Sequence, residues 1–396
     1  MRIALVHDCI IHIGGAERVL QTLYSMFPDA PIYTLVCNRA VAQELVPGAK
    51  VLPSFLQKFP GARRYFRAYA PLYPMAVEGL DLTDFDVVLS SSYSFGKGVI
   101  VPPSTSHICY CYSPLRYLWS GYHFHRKTMF RQSWKRVLLD PFLTGLRVWD
   151  RIAADRVDRF VAISHSVADR IAKYYRRRSL IVYPPVPVTK IQFEGSTGGY
   201  YLLVSRLMAY KRVDLAMEAF NRLGLPLKIV GTGPMLGELR RMGKRNIEFL
   251  GSISDEGLVS CYSGCRALVF PGYEDFGIVM VEAQAYGKPV IAYGAGGASE
   301  IVVDGRTGVL FQEQTSESLQ DAVEKLDRLA LDPGEIHDNA LRFDTSKFQQ
   351  SVKHIVESEY ARRHKITKVE GSRRDEDEIH HLNVLPDCQK EMCTGR

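Results

Sequence analysis

A chain of 396 residues, 46% hydrophobic and 23% charged, has room for two cores of ordinary domain size and the balance of a folded globular protein. Its formal net charge of +7 is too mild to define a partner, so the distribution of the charge matters more than its size. No stretch reaches the roughly eighteen apolar residues of a spanning helix, and His7 and Asp8 interrupt the opening MRIALVHDCIIHIGG too early for a secretory leader.

From the first residue, short β-rich runs alternate with helical patterns: RIALVHD, a helix from about Ala16 to Met26, PIYTLVC, DVVLSSS, HICYCYS, RFVAISH with a helix through Tyr175, and SLIVYPPV. Strand, helix, strand predicts a parallel sheet covered on both faces. The Pro-rich YPPVPV at 183–188 and the Gly-rich EGSTGG at 194–199 break this alternation and read as a linker. A second series follows: YYLLVSR, a helix from about Val213, LKIVG, a helix from about Met235, IEFLGSI, ALVFPG, a helix opening near Ile278, PVIAYG, a helix near Ser299, GVLF, and a helix near Glu317 to Leu329. The pattern is that of an α/β chain with two doubly wound, Rossmann-like domains.

The segment KFQQSVKHIVESEYARR has apolar residues near helical spacing and suits a terminal packing helix. The domains are therefore expected at 1–186, completed by 345–365, and at 187–344, while 366–396, charge-rich and without periodicity, is expected to be a disordered tail. The eight cysteines contain no C-x-x-C pair and no zinc spacing, the pattern of free buried thiols in a reducing cytosol.

Two such domains facing each other leave a cleft lined by the carboxyl ends of both sheets, where ligands bind. Four loops carry chemistry there. In HIGGAERVL, Gly14 and Gly15 let a ligand approach the backbone at a helix start, whose free N–H groups favour an anion; an ordinary strand-to-helix turn is the alternative. In LLVSRLMAYKRVDLAM, Arg206 and Lys211 flank a strand-to-helix turn and suit a diphosphate, the first as a fork and the second as a point charge, or else are incidental loop charges. In PGYEDFGIVMVEAQA, the amides around Phe276, Gly277 and Ile278 begin a helix whose positive end can receive a phosphate. Glu274 and Glu282 would repel that phosphate unless each faces hydroxyls, such as those of a ribose and a hexose. The fourth loop is HICYCYSPLRYLWSGYHFH.

At these residues the chain resembles the family 4 retaining glycosyltransferases of the GT-B fold, which have two Rossmann-like domains across a cleft. The resemblance rests on the E-x7-E spacing of Glu274 and Glu282, SRL followed by Lys, G-G-A-E-R and IVGTGP, in order over roughly residues 1–365. It implies that Glu274 contacts the transferred hexose and Glu282 the nucleotide ribose. Arg206 and Lys211 would clamp the diphosphate, Gly15 would face it from the other domain, and the backbone near Ile253 would meet the base. Glu274, Arg206 and Lys211 are the implied catalytic set.

Many similar enzymes have His where Tyr112 stands. His107 lies upstream at the wrong end of its strand, so Tyr112 and Arg116 are the acceptor-side candidates, with a packing aromatic and a surface charge as the alternatives. Retention implies either a carboxylate intermediate or attack from the leaving-group face, and the resemblance favours the second.

Asp84 and Asp86 spell D-x-D but lead into a strand, so no catalytic metal and no cofactor are expected. GAGGAS at 294–299 partly imitates a dinucleotide fingerprint, yet lies late in its domain. No nucleic-acid module accompanies the basic residues. Those cations, Lys58, Arg63, Arg64 and Arg67 among aromatics, five more in HRKTMFRQSWKR, and Arg176 to Arg178, suit an anionic membrane surface or are solvated faces. The expectation is a cytoplasmic hexosyltransferase, peripheral on the inner membrane face. It would move mannose from GDP-mannose to a lipid-linked or membrane-associated glycan in surface polysaccharide synthesis. A UDP-sugar enzyme of the same fold, a GT-B epimerase and a silent nucleotide-sugar-binding protein are the alternatives.

Overall fold

The computed structural model describes residues 1–123, 133–192 and 198–382, with the side chains of 133–139 and 366–382 excepted. The first sheet contains β1 (Ile3–Ile10), β2 (Ile32–Cys37), β3 (Val51–Pro53), β4 (Val87–Ser92), β5 (Ser106–Cys111), β6 (Arg159–Ala162) and β7 (Ser179–Ile181). Their order is β3-β2-β1-β4-β5-β6-β7, with every pair parallel. All residues of β1, β4 and β5 are buried, as expected of central strands covered on both faces. The sequence pattern does not single out β3, a three-residue edge strand ending in Pro53, because a proline breaks β periodicity where one edge needs no further partner.

The second sheet contains β8 (Tyr200–Val204), β9 (Leu227–Val230), β10 (Ile247–Gly251), β11 (Cys265–Phe270), β12 (Val290–Tyr293) and β13 (Gly308–Phe311), in the parallel order β10-β9-β8-β11-β12-β13. Both sheets are doubly wound: the direction of winding reverses between β1 and β4 in one and between β8 and β11 in the other. Crevices open at such switch points, and here the two crevices supply the facing walls of one cleft.

Two passages join the domains, and they run side by side. Val186 donates its N–H to Phe343 O at 3.0 Å and accepts from Thr345 N at 2.9 Å, while Asp344 accepts from both the N–H and the hydroxyl of Thr189 at 3.0 Å. Beyond this crossing the helix Thr345–Leu382 lies on the first domain, where Phe348 meets Tyr110 edge-on and Glu359 pairs with Arg159.

The terminal helix runs past the expected boundary at 365, as far as Leu382. A helix satisfies its own amides internally and so can outrun its apolar face. Residues 383–396, with Cys388 and Cys393, lie outside the described residues, as does 193–197 of the linker. The other six cysteines are buried and free.

Phe348 is 2% exposed where the terminal helix meets β5, so Phe348→Ala should lower stability by about 3 to 5 kcal/mol. Urea unfolding monitored by circular dichroism checks this, with a loss below about 1 kcal/mol showing that the helix does not anchor here.

Candidate functional site

The first wall forms at the β1–β4 switch point. Asp8, buried near the end of β1, accepts four backbone N–H groups, from Tyr93 and Ser94 on one oxygen and from Phe95 and Gly96 on the other, at 2.6 to 2.9 Å. This fixes the loop after β4. The helix Gly15–Met26 begins just beyond β1, with Gly14 extended and no side chain capping the helix. A Cβ placed on Gly15 would lie 3.2 Å from Cδ1 of Ile278, so the glycine turn faces the start of the second-domain helix Ile278–Ala285 across the cleft.

The second wall forms at the β8–β11 switch point. Arg206, exposed, follows β8 and has no ion-pair partner among the described residues. Lys211 closes the short 3-10 turn Ala209–Lys211, and its Nζ pairs with Oε1 of Glu274 on the loop after β11. The two side chains are 17% and 18% exposed, so the pair is shielded but reachable. Gly277 caps the helix Ile278–Ala285 with φ 93°, a left-handed conformation that favours glycine. No side chain caps that helix either, which leaves its amide end available to an anion.

Glu282 sits on the second turn of that helix and accepts the Tyr262 hydroxyl at 2.7 Å. Burial pushes its carboxyl above the ordinary glutamate value, against the opposing pull of the Tyr262 hydroxyl. Ile253, half-buried after β10, adjoins the start of the helix Asp255–Gly264, where Asp255 meets Arg18 of the first domain at 2.9 Å. Direct contacts join Gly15 to Ile278 and Lys211 to Glu274, with Gly14, Phe276 and Gly277 beside them in the chain, Glu282 one turn into the helix Ile278–Ala285, and Arg206 and Ile253 after β8 and β10 of the same sheet. Phe276 contributes backbone only: its ring is 3% exposed, stacked on Tyr183 of the crossing at 5.6 Å.

The two acceptor-side candidates behave differently from that expectation. Tyr112 is turned inward, its hydroxyl donating to Ala16 O at 3.0 Å and bonded to Ser91 Oγ at 2.9 Å; it is a packing aromatic that steadies the glycine turn. Burial among apolar groups holds that phenol well above its ordinary pKa. Arg116 is neither a free acceptor contact nor a surface charge, because Asp275 accepts its Nε at 3.0 Å across the cleft.

Asp275 itself, 6% exposed, was not singled out by sequence reasoning. It also pairs with Arg170, which donates to Ser113 Oγ at 2.9 Å and Ser166 Oγ at 3.1 Å. The signal available was an acidic residue inside the motif loop; its partners lie far away in sequence.

GAGGAS, set aside as a false dinucleotide motif, supports the site. Gly296 bridges Glu274, Gly297 N donates to Glu274 O at 2.9 Å, and a Cβ on Gly297 would fall 2.0 Å from Phe276 O. The glycines let two loops touch backbone to backbone. Asp86 accepts from Arg2 N at 2.7 Å just before β4, at the amino ends of the strands, opposite the cleft. His107 is fully buried against Ser90 Oγ at 2.8 Å, and burial pushes it down to about 4, a neutral core histidine.

Two facing doubly wound domains with this cleft define the GT-B architecture. Residues 13–190 match the family model described as Glycosyltransferase Family 4, and residues 189–340 match that of Glycosyl transferases group 1. The chain belongs to the GT-B glycosyltransferases of this two-module, family 4 type. It is 33% identical over 174 residues to D-rhamnosyltransferase WbpZ of Pseudomonas aeruginosa, covering 39% of this chain and 46% of that one. It is also 33% identical over 135 residues to O-antigen chain mannosyltransferase C of Escherichia coli, covering 32% and 36%. The chain spans less than half the length of these two curated relatives. Anabaena HepE, solved in complex with UDP-glucose, superposes over 90% of this chain and 100% of its own with a TM-score of 0.67 at 19% identity, a likeness of fold.

Asp275→Ala would leave two guanidinium groups facing an empty position, and stability should fall by about 3 to 5 kcal/mol in denaturant titrations. A second expectation concerns pH. Because the folded-state pKa of Glu282 is raised, its contribution is full below the ordinary value near 4.3 and is lost as pH rises through the raised value. Across that window the melting temperature of Glu282→Gln should gain on the wild type as pH rises; a constant difference would contradict the burial of the charge.

Proposed function

We propose that the chain is a retaining, metal-independent hexosyltransferase that takes mannose from GDP-mannose and needs no resident cofactor. The observation that carries this is the placement, around one cleft, of an exposed Arg206, the Lys211–Glu274 pair, the uncapped helix start at Ile278 and the glycine turn opposite it. Donor diphosphate at the helix start would draw Lys211 away from Glu274. The freed carboxylate then accepts hydroxyls of the hexose, and Glu282 those of the ribose, with the base near Ile253.

As the glycosidic bond breaks, negative charge grows on the diphosphate, and Arg206, Lys211 and the helix amides stabilise it more than they stabilise the ground state. The acceptor hydroxyl attacks from the face the diphosphate is leaving, and its proton passes to a donor phosphate oxygen.

Mannose is favoured by the kinship with a protein named as an O-antigen chain mannosyltransferase. For the acceptor we propose a lipid-linked or membrane-associated glycan, with the enzyme peripheral on an anionic inner-membrane surface in the cytoplasm. Exposed Arg63, Arg64 and Arg67 around the half-exposed Tyr65 support that docking. Within the third basic cluster, Arg177 instead donates to Ala154 O at 3.0 Å and holds a helix end. The basic run 125–136 lies outside the described residues and side chains. No helix among the described residues is long and apolar enough to cross a membrane.

The test is incubation of the purified chain with radiolabelled GDP-mannose, UDP-glucose and other sugar nucleotides, together with membrane lipid extract. Transfer from GDP-mannose supports the reading, transfer from a UDP-sugar alone replaces the donor, and no consumption of any donor removes the enzyme. Arg206→Ala should reduce kcat/KM by about 100-fold to 1,000-fold, and Glu274→Gln should abolish transfer while nucleotide affinity survives. Full turnover by Glu274→Gln would mean that this carboxylate does not touch the hexose.

A further inference from the structure

Beyond the catalytic loop the cleft continues into an open cavity of about 490 Å³ that both domains line. From the first domain come Asp169, Lys173 and Tyr174, on the helix His165–Arg170 and the turn Ile171–Tyr175 that follows it. From the second come Tyr273, Ser299 and Glu300.

Its place in the fold gives it a direction. Ile253 follows β10, Arg206 and Lys211 follow β8, and Glu274 follows β11; the second-domain side of the cavity follows β11 and β12, the next positions across the sheet. A donor laid from Ile253 to Glu274 therefore ends with its sugar pointing towards this cavity. Tyr273 directly precedes Glu274 in the chain, and Arg170, which also lines the cavity, is bound to Asp275 directly after it.

The lining fits a particular chemistry. Asp169 and Lys173 are exposed, of opposite sign, and without an ion-pair partner among the described residues. A wall of mixed sign disfavours a second phosphate but supplies both acceptors and donors to a ring of hydroxyls. Tyr273 is 39% exposed and its hydroxyl is bonded to Ser166 Oγ at 2.9 Å, while Tyr174 is stacked against Trp119 at 5.0 Å. Tyrosines held in this way are rigid, with an apolar ring and a polar edge, the two properties a sugar ring presents in return. The volume lies in the range of small-molecule sites.

We propose that this cavity is a subsite for a neutral sugar ring of the glycan acceptor, one position removed from the sugar being made ready for transfer. The role as an acceptor subsite rests on the transferase reading above; the binding of a neutral saccharide does not.

Saturation-transfer NMR tests it, with methyl α-mannoside, an α-linked mannobiose and methyl β-N-acetylglucosaminide as probes, on the wild type, Asp169→Ala and Ser299→Trp. The last fills the cavity, and titration with GDP and UDP reports that each variant keeps its fold and its nucleotide site. Saturation of at least one probe in the wild type, with affinity reduced roughly tenfold or more in both variants, is the expected result. No saturation of any probe, or saturation unchanged in both variants, overturns the proposal. Should Ser299→Trp fail to fold, Asp169→Ala, at an exposed position, decides alone. Saccharide binding that depends on Asp169, in a protein that consumes no sugar nucleotide, would uphold the cavity and remove the transferase reading, so the two can fail separately.

Discussion

Asp275 receives Arg170 and Arg116 from the opposite domain, and the loop that carries it also carries Glu274, Phe276 and Gly277. A carboxylate shielded from water and shared by two guanidiniums adds little net stability over a well-packed apolar contact, because desolvation offsets the attraction. Its consequence is geometric. The loop is pinned from the first domain by the arginines, from the interdomain crossing by Phe276 on Tyr183, and from its own sheet by the close approach of Gly296 and Gly297. The position of Glu274 in the cleft follows from those three restraints together.

The two carboxylates of the motif then differ through their surroundings rather than their chemistry. Glu274 has an ammonium partner within reach of solvent, an arrangement that an incoming anion can rearrange by competing for Lys211. Glu282 sits in a low-dielectric setting that raises its pKa, and the Tyr262 phenol holds its geometry while pulling that pKa the other way. One group is held by a contact that can be exchanged, the other by a contact that cannot move far. That difference is what a site would need in order to admit a diphosphate between two sugars.

Much of the scaffold was legible because a doubly wound fold repeats one rule. Six of the seven strands in the first sheet and all six in the second follow from apolar runs bounded by turns. The candidate loops follow from the same rule, since sheets of this kind bind ligands outside the carboxyl ends of their strands. The reading failed where a residue's meaning depends on a partner distant in sequence. Arg116 and Tyr112 stood as acceptor-side candidates, and the packing role of GAGGAS went unread, because Asp275, Ala16 and Phe276 are not their neighbours until the chain folds.

The sequence by itself determined the two α/β domains, the order of their strands along the chain and the side chains available to an anion. Periodicity, turn chemistry and helix ends are local properties, written within a few residues of where they act. Only the tertiary structure decided which of those groups face each other. It set Gly15 against Ile278, Lys211 against Glu274, and Asp275 against Arg116 and Arg170. The Lys211 pair belongs to the strand order of one sheet, and the other pairings to the juxtaposition of two sheets, which the crossing at Val186 and Asp344 joins and no single segment encodes.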